Sequence, residues 1–131
     1  MAEIDRVFWE KAQENLEAAQ SEFVNRRYNS CANRCYYACF QAAIFALTKA
    51  DLLPSAGRWG HDFVQAQFNG QLINRRRLYP TDLRTTLTQN YILRERADYT
   101  TDHVSEVRAA RAVQRSEDFL DAIRPRGDEI V

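Results

Sequence analysis

"CYYACFQAAIFAL", residues 35–47, is the longest apolar run in the chain, and its reading decides the fold. A membrane-spanning helix needs roughly 20 apolar residues. This run stops at thirteen and carries Gln41 near its middle. It is apolar on most sides when wound as a helix, with Cys35, Tyr36, Phe40, Ala43, Ile44 and Leu47 pointing in several directions. A helix of that kind is central and is covered by several neighbours. The helical reading extends to about residues 30–50. It aligns Cys31, Cys35 and Cys39 on one stripe, the expected place for small buried thiols rather than a metal site. Arg34 falls inside this segment, and a buried arginine calls for an acidic partner.

On the N-terminal side, Ile4, Phe8, Ala12, Leu16, Ala19 and Phe23 recur at steps of three and four, an amphipathic helix over about 4–25. Glu3 and Asp5 suit the positive end of its dipole. "NRRYNS", residues 25–30, ends it. On the C-terminal side, "DLLPSAGRWG" (51–60) reads as a loop, and a shorter helix follows over about 61–68. "NGQLINRRRLYP" (69–80) reads as a second connection. A helix from 81 to about 100 starts with Thr81 as its expected cap. Leu83, Leu87, Tyr91, Arg94 and Asp98 share one of its faces. "TTDHVS" (100–105) interrupts the pattern and offers Thr101, Asp102 and Ser105 as caps for a last helix over about 104–123. The inward positions of that helix read as Val107, Ala110, Val113, Phe119, Leu120 and Ile123. The expected architecture is all-α: an up-and-down bundle of four long helices plus a short helix, forming one domain over 1–124 with a polar tail over 125–131.

Composition agrees. The chain has 131 residues, 45% of them hydrophobic, which suits one domain with one core. Four glycines and three prolines leave too little punctuation for many short strands. The opening "MAEIDRVFWEKAQ" is charged and amphipathic, unlike a secretory leader, so a cytoplasmic protein with no membrane association is expected. Net charge is zero, but its distribution is uneven. Residues 1–25 carry six acids and two bases, whereas residues 58–115 carry ten arginines and six acids. Arginine suits bidentate contact with phosphate or carboxylate.

"ILRERADYTTDHV", residues 92–104, concentrates the chemistry. Two readings of it stand side by side. In the structural one, Arg94 and Asp98 are i, i+4 partners that form a buried pair, joined by Arg34 and capped by Tyr99, locking two helices together. In the catalytic one, Ile92, Arg96, Tyr99 and His103 step along another stripe, and Arg96 and His103 both face a phosphate. RNA cleavage without a metal needs a base for the 2′-hydroxyl, an acid for the leaving 5′-oxygen and a cation for the phosphorane. Histidine serves the first two roles and arginine the third. No cofactor and no metal are expected. His61, the second histidine, is expected to cap or pack the short helix.

Four stretches, in order, resemble the HEPN family, the small helical domains named for higher eukaryotes and prokaryotes nucleotide-binding. They are "FVNRRYNSCA" after the first helix, "RCYYACFQAA" (34–43), "GHDFVQAQF" (60–68) and "RERADY" (94–99). The likeness spans about residues 10–123 and is strongest to short, stand-alone prokaryotic members. It implies a metal-independent ribonuclease with an arginine and a histidine four to six residues apart, working as a homodimer. Many such proteins are toxins paired with a nucleotidyltransferase antitoxin. Arg96 and His103, with six residues between them, fit that motif. Arg94, with eight, does not fit it. RNA would be held by Arg75, Arg76, Arg77, Arg108 and Arg111. The alternative is a non-catalytic HEPN module that dimerises, binds a nucleotide or docks a nucleotidyltransferase, with Tyr99 as a residue such a partner would modify.

Overall fold

The computed structural model describes residues 3–125, with side chains from Arg6 onward. Residues 126–131 of the expected polar tail lie outside the described residues, as do the side chains of Glu3, Ile4 and Asp5. The elements are α1 (Glu3–Val24), α2 (Tyr28–Lys49), α3 (His61–Gln67), α4 (Thr86–Tyr99) and α5 (Glu106–Ile123). Among the described residues there is no strand. This is the all-α bundle of four long helices and a short one. None of these helices is long and apolar enough to cross a membrane.

The run at 35–47 forms the middle of α2, and twelve α2 residues from Cys31 to Leu47 are buried. The helix packs against α1, α3, α4 and α5, which is why hydrophobic side chains are needed all round it. Trp9, Ala12 and Ala19 of α1 are buried, with Phe8, Leu16 and Phe23 partly so. The α1–α2 turn is made without glycine. Arg26 takes a left-handed φ of 61°, and the Arg27 N–H closes back on the Glu22 carbonyl at 2.8 Å.

Three sequence expectations are corrected. The connection at 69–80 is largely helical: α3 continues as a π-helical segment, Phe68–Arg75. The wider π winding turns Phe68, Leu72 and Ile73 all into the core, which outweighs the turn signal of Asn69-Gly70. Thr81 is not the cap of α4. It opens a 3₁₀ turn, Thr81–Thr85, after an extended Pro80, and α4 begins at Thr86. In α5 the buried stripe is Ala109, Ala112, Ser116, Phe119, Leu120 and Ile123, whereas Val107 is 57% exposed and Ala110 is exposed. Small residues let α5 approach α2 closely, so side-chain size misled the reading of its first half. Of the three candidate caps, Ser105 is used: its Oγ accepts from the Arg108 N–H at 3.2 Å.

Asn90 ties the bundle centre together. It is wholly buried, and its Nδ2 donates to Ser116 Oγ at 3.0 Å, with longer contacts of 3.4 Å to the Cys35 carbonyl and Cys39 Sγ. Arg115 Nε donates to Asn90 Oδ1 at 2.7 Å. One amide thus links α2, α4 and α5. The three cysteines are free and buried on α2, and burial pushes the Cys39 thiol up to about 12.

Candidate functional site

Three polar regions surround the second half of α4. The first lies where α2, α3 and α4 meet. Arg94 lies over the Tyr36 ring, its guanidinium carbon 4.6 Å from the centroid, and Nη1 donates to Tyr37 Oη at 3.3 Å. Nη2 reaches Glu95 at 3.2 Å, while Nε is buried with no hydrogen-bond partner. Burial works against the Arg94 charge, but Tyr37, Tyr36 and Glu95 outweigh it and its pKa is raised. His61 stacks on Tyr91 with centroids 4.0 Å apart, and its Nδ1 lies 3.1 Å from Tyr36 Oη. Burial lowers the His61 pKa. His61 is therefore part of an aromatic–arginine cluster. It does not cap α3, whose N-cap is Gly60.

The second region joins α1, α2 and α4 through side-chain amides. Arg94 and Asp98 do not form the anticipated buried pair. Asp98 is exposed and accepts from Asn33 Nδ2 at 2.9 Å. Asn33 Oδ1 also accepts from Arg34, which in turn donates to Asn15 Oδ1 at 2.9 Å. Arg34 is thus satisfied by amides rather than by a carboxylate. Its guanidinium and that of Arg94 sit 5.6 and 5.7 Å from the Tyr37 centroid, so Tyr37 bridges the two arginines. Tyr99 caps nothing here and is 71% exposed. Asn33 and Tyr37 were missed because neither stands out in sequence, although Tyr37 lies inside the "RCYYACF" stretch.

The third region is a cleft of about 240 Å³ between α4 and α5, lined by Gln89, Ile92, Leu93, Arg96, Arg108, Arg111 and Arg115. Four guanidiniums border it, with no carboxylate in the lining. Arg115 is anchored from behind by Asn90, and burial lowers its pKa. Like charges gathered without a counter-charge repel one another, and an anion relieves that repulsion. Arg96, Arg108 and Arg111, chosen from sequence for two different roles, come together here. Arg75, Arg76 and Arg77 do not join them. They are exposed at and just beyond the end of the π-helical segment, and Arg76 lines another cleft with Lys49 and Arg124. That cleft sits at the other end of α5, roughly 20 Å along the helix axis at 1.5 Å per residue.

His103 lies in the link between α4 and α5. Thr100 Oγ1 donates back to the Arg96 carbonyl at 2.7 Å and closes α4, so the stripe that would carry Arg96 to His103 is cut. His103 is exposed and lines a groove of about 340 Å³ with Arg26, Arg27, Tyr28, Asn29, Ser30 and Val104. Asn29 Oδ1 accepts from the Val104 N–H at 2.9 Å, which directs its Nδ2 toward His103 Nδ1 at 3.4 Å. An amide NH₂ only donates, so Nδ1 is the accepting atom of this long contact. Within one chain, Arg96 and His103 thus line separate clefts on either side of the same link. Among the described residues, no three His, Cys, Asp or Glu side chains gather in a way that could hold a metal ion.

Comparison with known proteins agrees with this architecture. The HEPN domain family model matches residues 6–126. The chain is 34% identical over 127 residues to a protein of Methanocaldococcus jannaschii named "Putative toxin MJ0605", a match covering 93% of this chain and 87% of that protein. With the family model covering nearly the whole bundle, the chain belongs to the HEPN domain family.

Proposed function

We propose that this protein is a metal-independent endoribonuclease of the cytoplasm, acting as the toxin of a toxin–antitoxin or other defence pair. The observation that carries the reading is the α4–α5 cleft, where Arg96 stands with Arg108, Arg111 and Arg115 and no carboxylate is in the lining. Such a cleft neutralises phosphates along an RNA strand. Separation of Arg96 from His103 within one chain favours a composite site, with Arg96 of one protomer meeting the histidine of a second.

The chemistry follows from the side chains. His103 takes the 2′-hydroxyl proton at Nδ1, where the hydroxyl replaces the long Asn29 amide contact while the Asn29–Val104 bond keeps the ring's backbone in place, and the 2′-oxygen attacks the phosphorus. Arg96 neutralises the phosphorane. The bond to the 5′-oxygen breaks as an imidazolium Nε2–H, supplied by the histidine of the second protomer, protonates it. The products are a 2′,3′-cyclic phosphate and a 5′-hydroxyl. Mass spectrometry of RNA fragments tests this: a 3′-phosphate-free product would rule out the route, and His103→Ala should abolish cleavage.

The same separation of Arg96 and His103 supports a second reading, a non-catalytic HEPN module that binds a nucleotide or docks a nucleotidyltransferase. In either case Tyr99, 71% exposed beside the link, is the tyrosine most open to modification by such a partner. An unmodified Tyr99 after coexpression with an adjacent nucleotidyltransferase would remove that detail.

A further inference from the structure

The arginine cleft has a counterpart on the same chain. Val7, Glu10, Glu14 and Glu17 step +3, +4, +3 along α1 and form one outward stripe. Val7 is 43% exposed, and the three glutamates are exposed with no ion pair among the described residues. Arg6 and Lys11 border the stripe, but residues 1–25 remain acidic, with six acids to two bases. On α5, Arg108, Arg111 and Arg115 step +3, +4, and Arg96 faces them from α4. From Glu10 to Glu17 and from Arg108 to Arg115 the charges each cover seven helical steps, about 10 Å at 1.5 Å per residue. Apolar neighbours match as well: Ile92 is 55% exposed in the cleft and Val107 57% exposed beside it.

We infer that the α4–α5 cleft is occupied by α1 of a second copy of this chain, with Glu10, Glu14 and Glu17 paired to Arg108, Arg111, Arg115 and Arg96. A groove between two helices is a shape that a third amphipathic helix fills. Like charges aligned at this spacing make the contact selective, because acidic stripe against acidic stripe, or cleft against cleft, repels. Three carboxylates over about 10 Å also present charge much as a short strand of phosphates does. Docked α1 therefore covers Arg96 and competes with RNA. The pairing of copies stands on the charges alone, whereas the masking of activity rests on the ribonuclease reading. The docked assembly is a resting one, separate from any pairing that brings His103 to Arg96.

Sedimentation of the full chain at low and high salt, with circular dichroism as a fold control, tests the contact. Wild type should form larger assemblies at low salt than at high salt, where only a pairing that brings His103 to Arg96 remains. The triple variant Glu10→Arg/Glu14→Arg/Glu17→Arg and the double variant Arg108→Glu/Arg111→Glu should each weaken association by about tenfold or more. An equimolar mixture of the two should associate again, since the acidic α1 of the cleft variant then meets the intact arginine cleft of the α1 variant. A wild type of the same size at low and high salt, association untouched by either reversal, or a mixture that stays apart would each overturn the proposal. The α1 variant should cleave RNA at low salt at least as well as wild type. If no form of the chain cleaves RNA, the ribonuclease reading fails while the sedimentation result still decides the docking.

Discussion

Asn29 holds His103 through the ring and through the peptide that follows it. Its Oδ1 accepts from the Val104 N–H at 2.9 Å, and its Nδ2 lies 3.4 Å from His103 Nδ1. A residue at the start of α2 thus sets the orientation of a histidine seventy-four positions later. Removing this amide should release the ring without disturbing the core. Asn29→Ala is expected to lower unfolding free energy by about 1 kcal/mol, the usual worth of a partly exposed hydrogen bond. Its RNA cleavage should fall by about tenfold through kcat. Unchanged kcat in a folded Asn29→Ala protein would show that the resting orientation of His103 is not used.

Arg94 and Arg96 are two positions apart and should fail differently. Arg94 packs on Tyr36 and bonds Tyr37, so Arg94→Ala removes a cation–π contact and a hydrogen bond. A loss of roughly 2 kcal/mol is expected in urea unfolding. Arg96→Ala should leave stability within about 0.5 kcal/mol of wild type, as for other surface changes, and should abolish cleavage. The reverse pattern would make Arg94 the functional arginine.

Asn90 is the buried hub. Asn90→Leu leaves Arg115 Nε and Ser116 Oγ without their shared partner. A loss of about 2–3 kcal/mol is expected from unsatisfied polar groups, read by denaturant midpoint. A neutral result would mean that water replaces the amide.

Stability should also depend on pH through His61. Burial lowers its pKa from the ordinary 6.5, so the unfolded chain binds a proton that the folded chain refuses. Stability then rises with pH across that interval. The contribution is complete above about 6.5 and is lost as pH falls toward the folded value. Tyr36 Oη, Asp62, Gln65 and Arg94 are the polar groups around the ring, and Arg94 opposes its charging. His61→Gln should flatten the slope of unfolding free energy between neutral and mildly acidic pH. A slope unchanged by that substitution would assign the effect elsewhere.

RNA binding should weigh the arginines unequally. Arg108→Ala and Arg111→Ala should each reduce the slope of log affinity against log salt by about 0.7, the value for one phosphate contact on a single strand. Arg75, Arg76 and Arg77 lie toward the other end of α5, so their removal should matter only for longer RNAs. Equal effects on a short oligonucleotide would move the binding surface.

Much of this was legible in sequence because periodicity reports burial directly. The helix order followed from apolar spacing and from the breaks at 25–30 and 100–105. The π-helical segment was not legible, since Asn69-Gly70 and three arginines imitate a turn while Phe68, Leu72 and Ile73 hold the winding open. The first half of α5 misled because its packing face is built from Ala109 and Ala112, and the larger Val107 points outward. At the site, helical phase grouped Arg94 with Asp98, but it could not say that Asn33 and Tyr37 reach those groups first. Arg108 and Arg111 were visible as charges, and only their placement opposite Arg96 makes them a cleft.

The most direct test is a cleavage assay on a defined single-stranded RNA with wild type, Arg96→Ala and His103→Ala, purified identically and shown folded by circular dichroism. Wild type should cut and leave a 2′,3′-cyclic phosphate, and both variants should lose about a thousandfold or more in rate, as expected when a proton-transfer group or an oxyanion clamp is removed. Full activity in folded His103→Ala would contradict the assignment of Arg96 and His103 as the working pair.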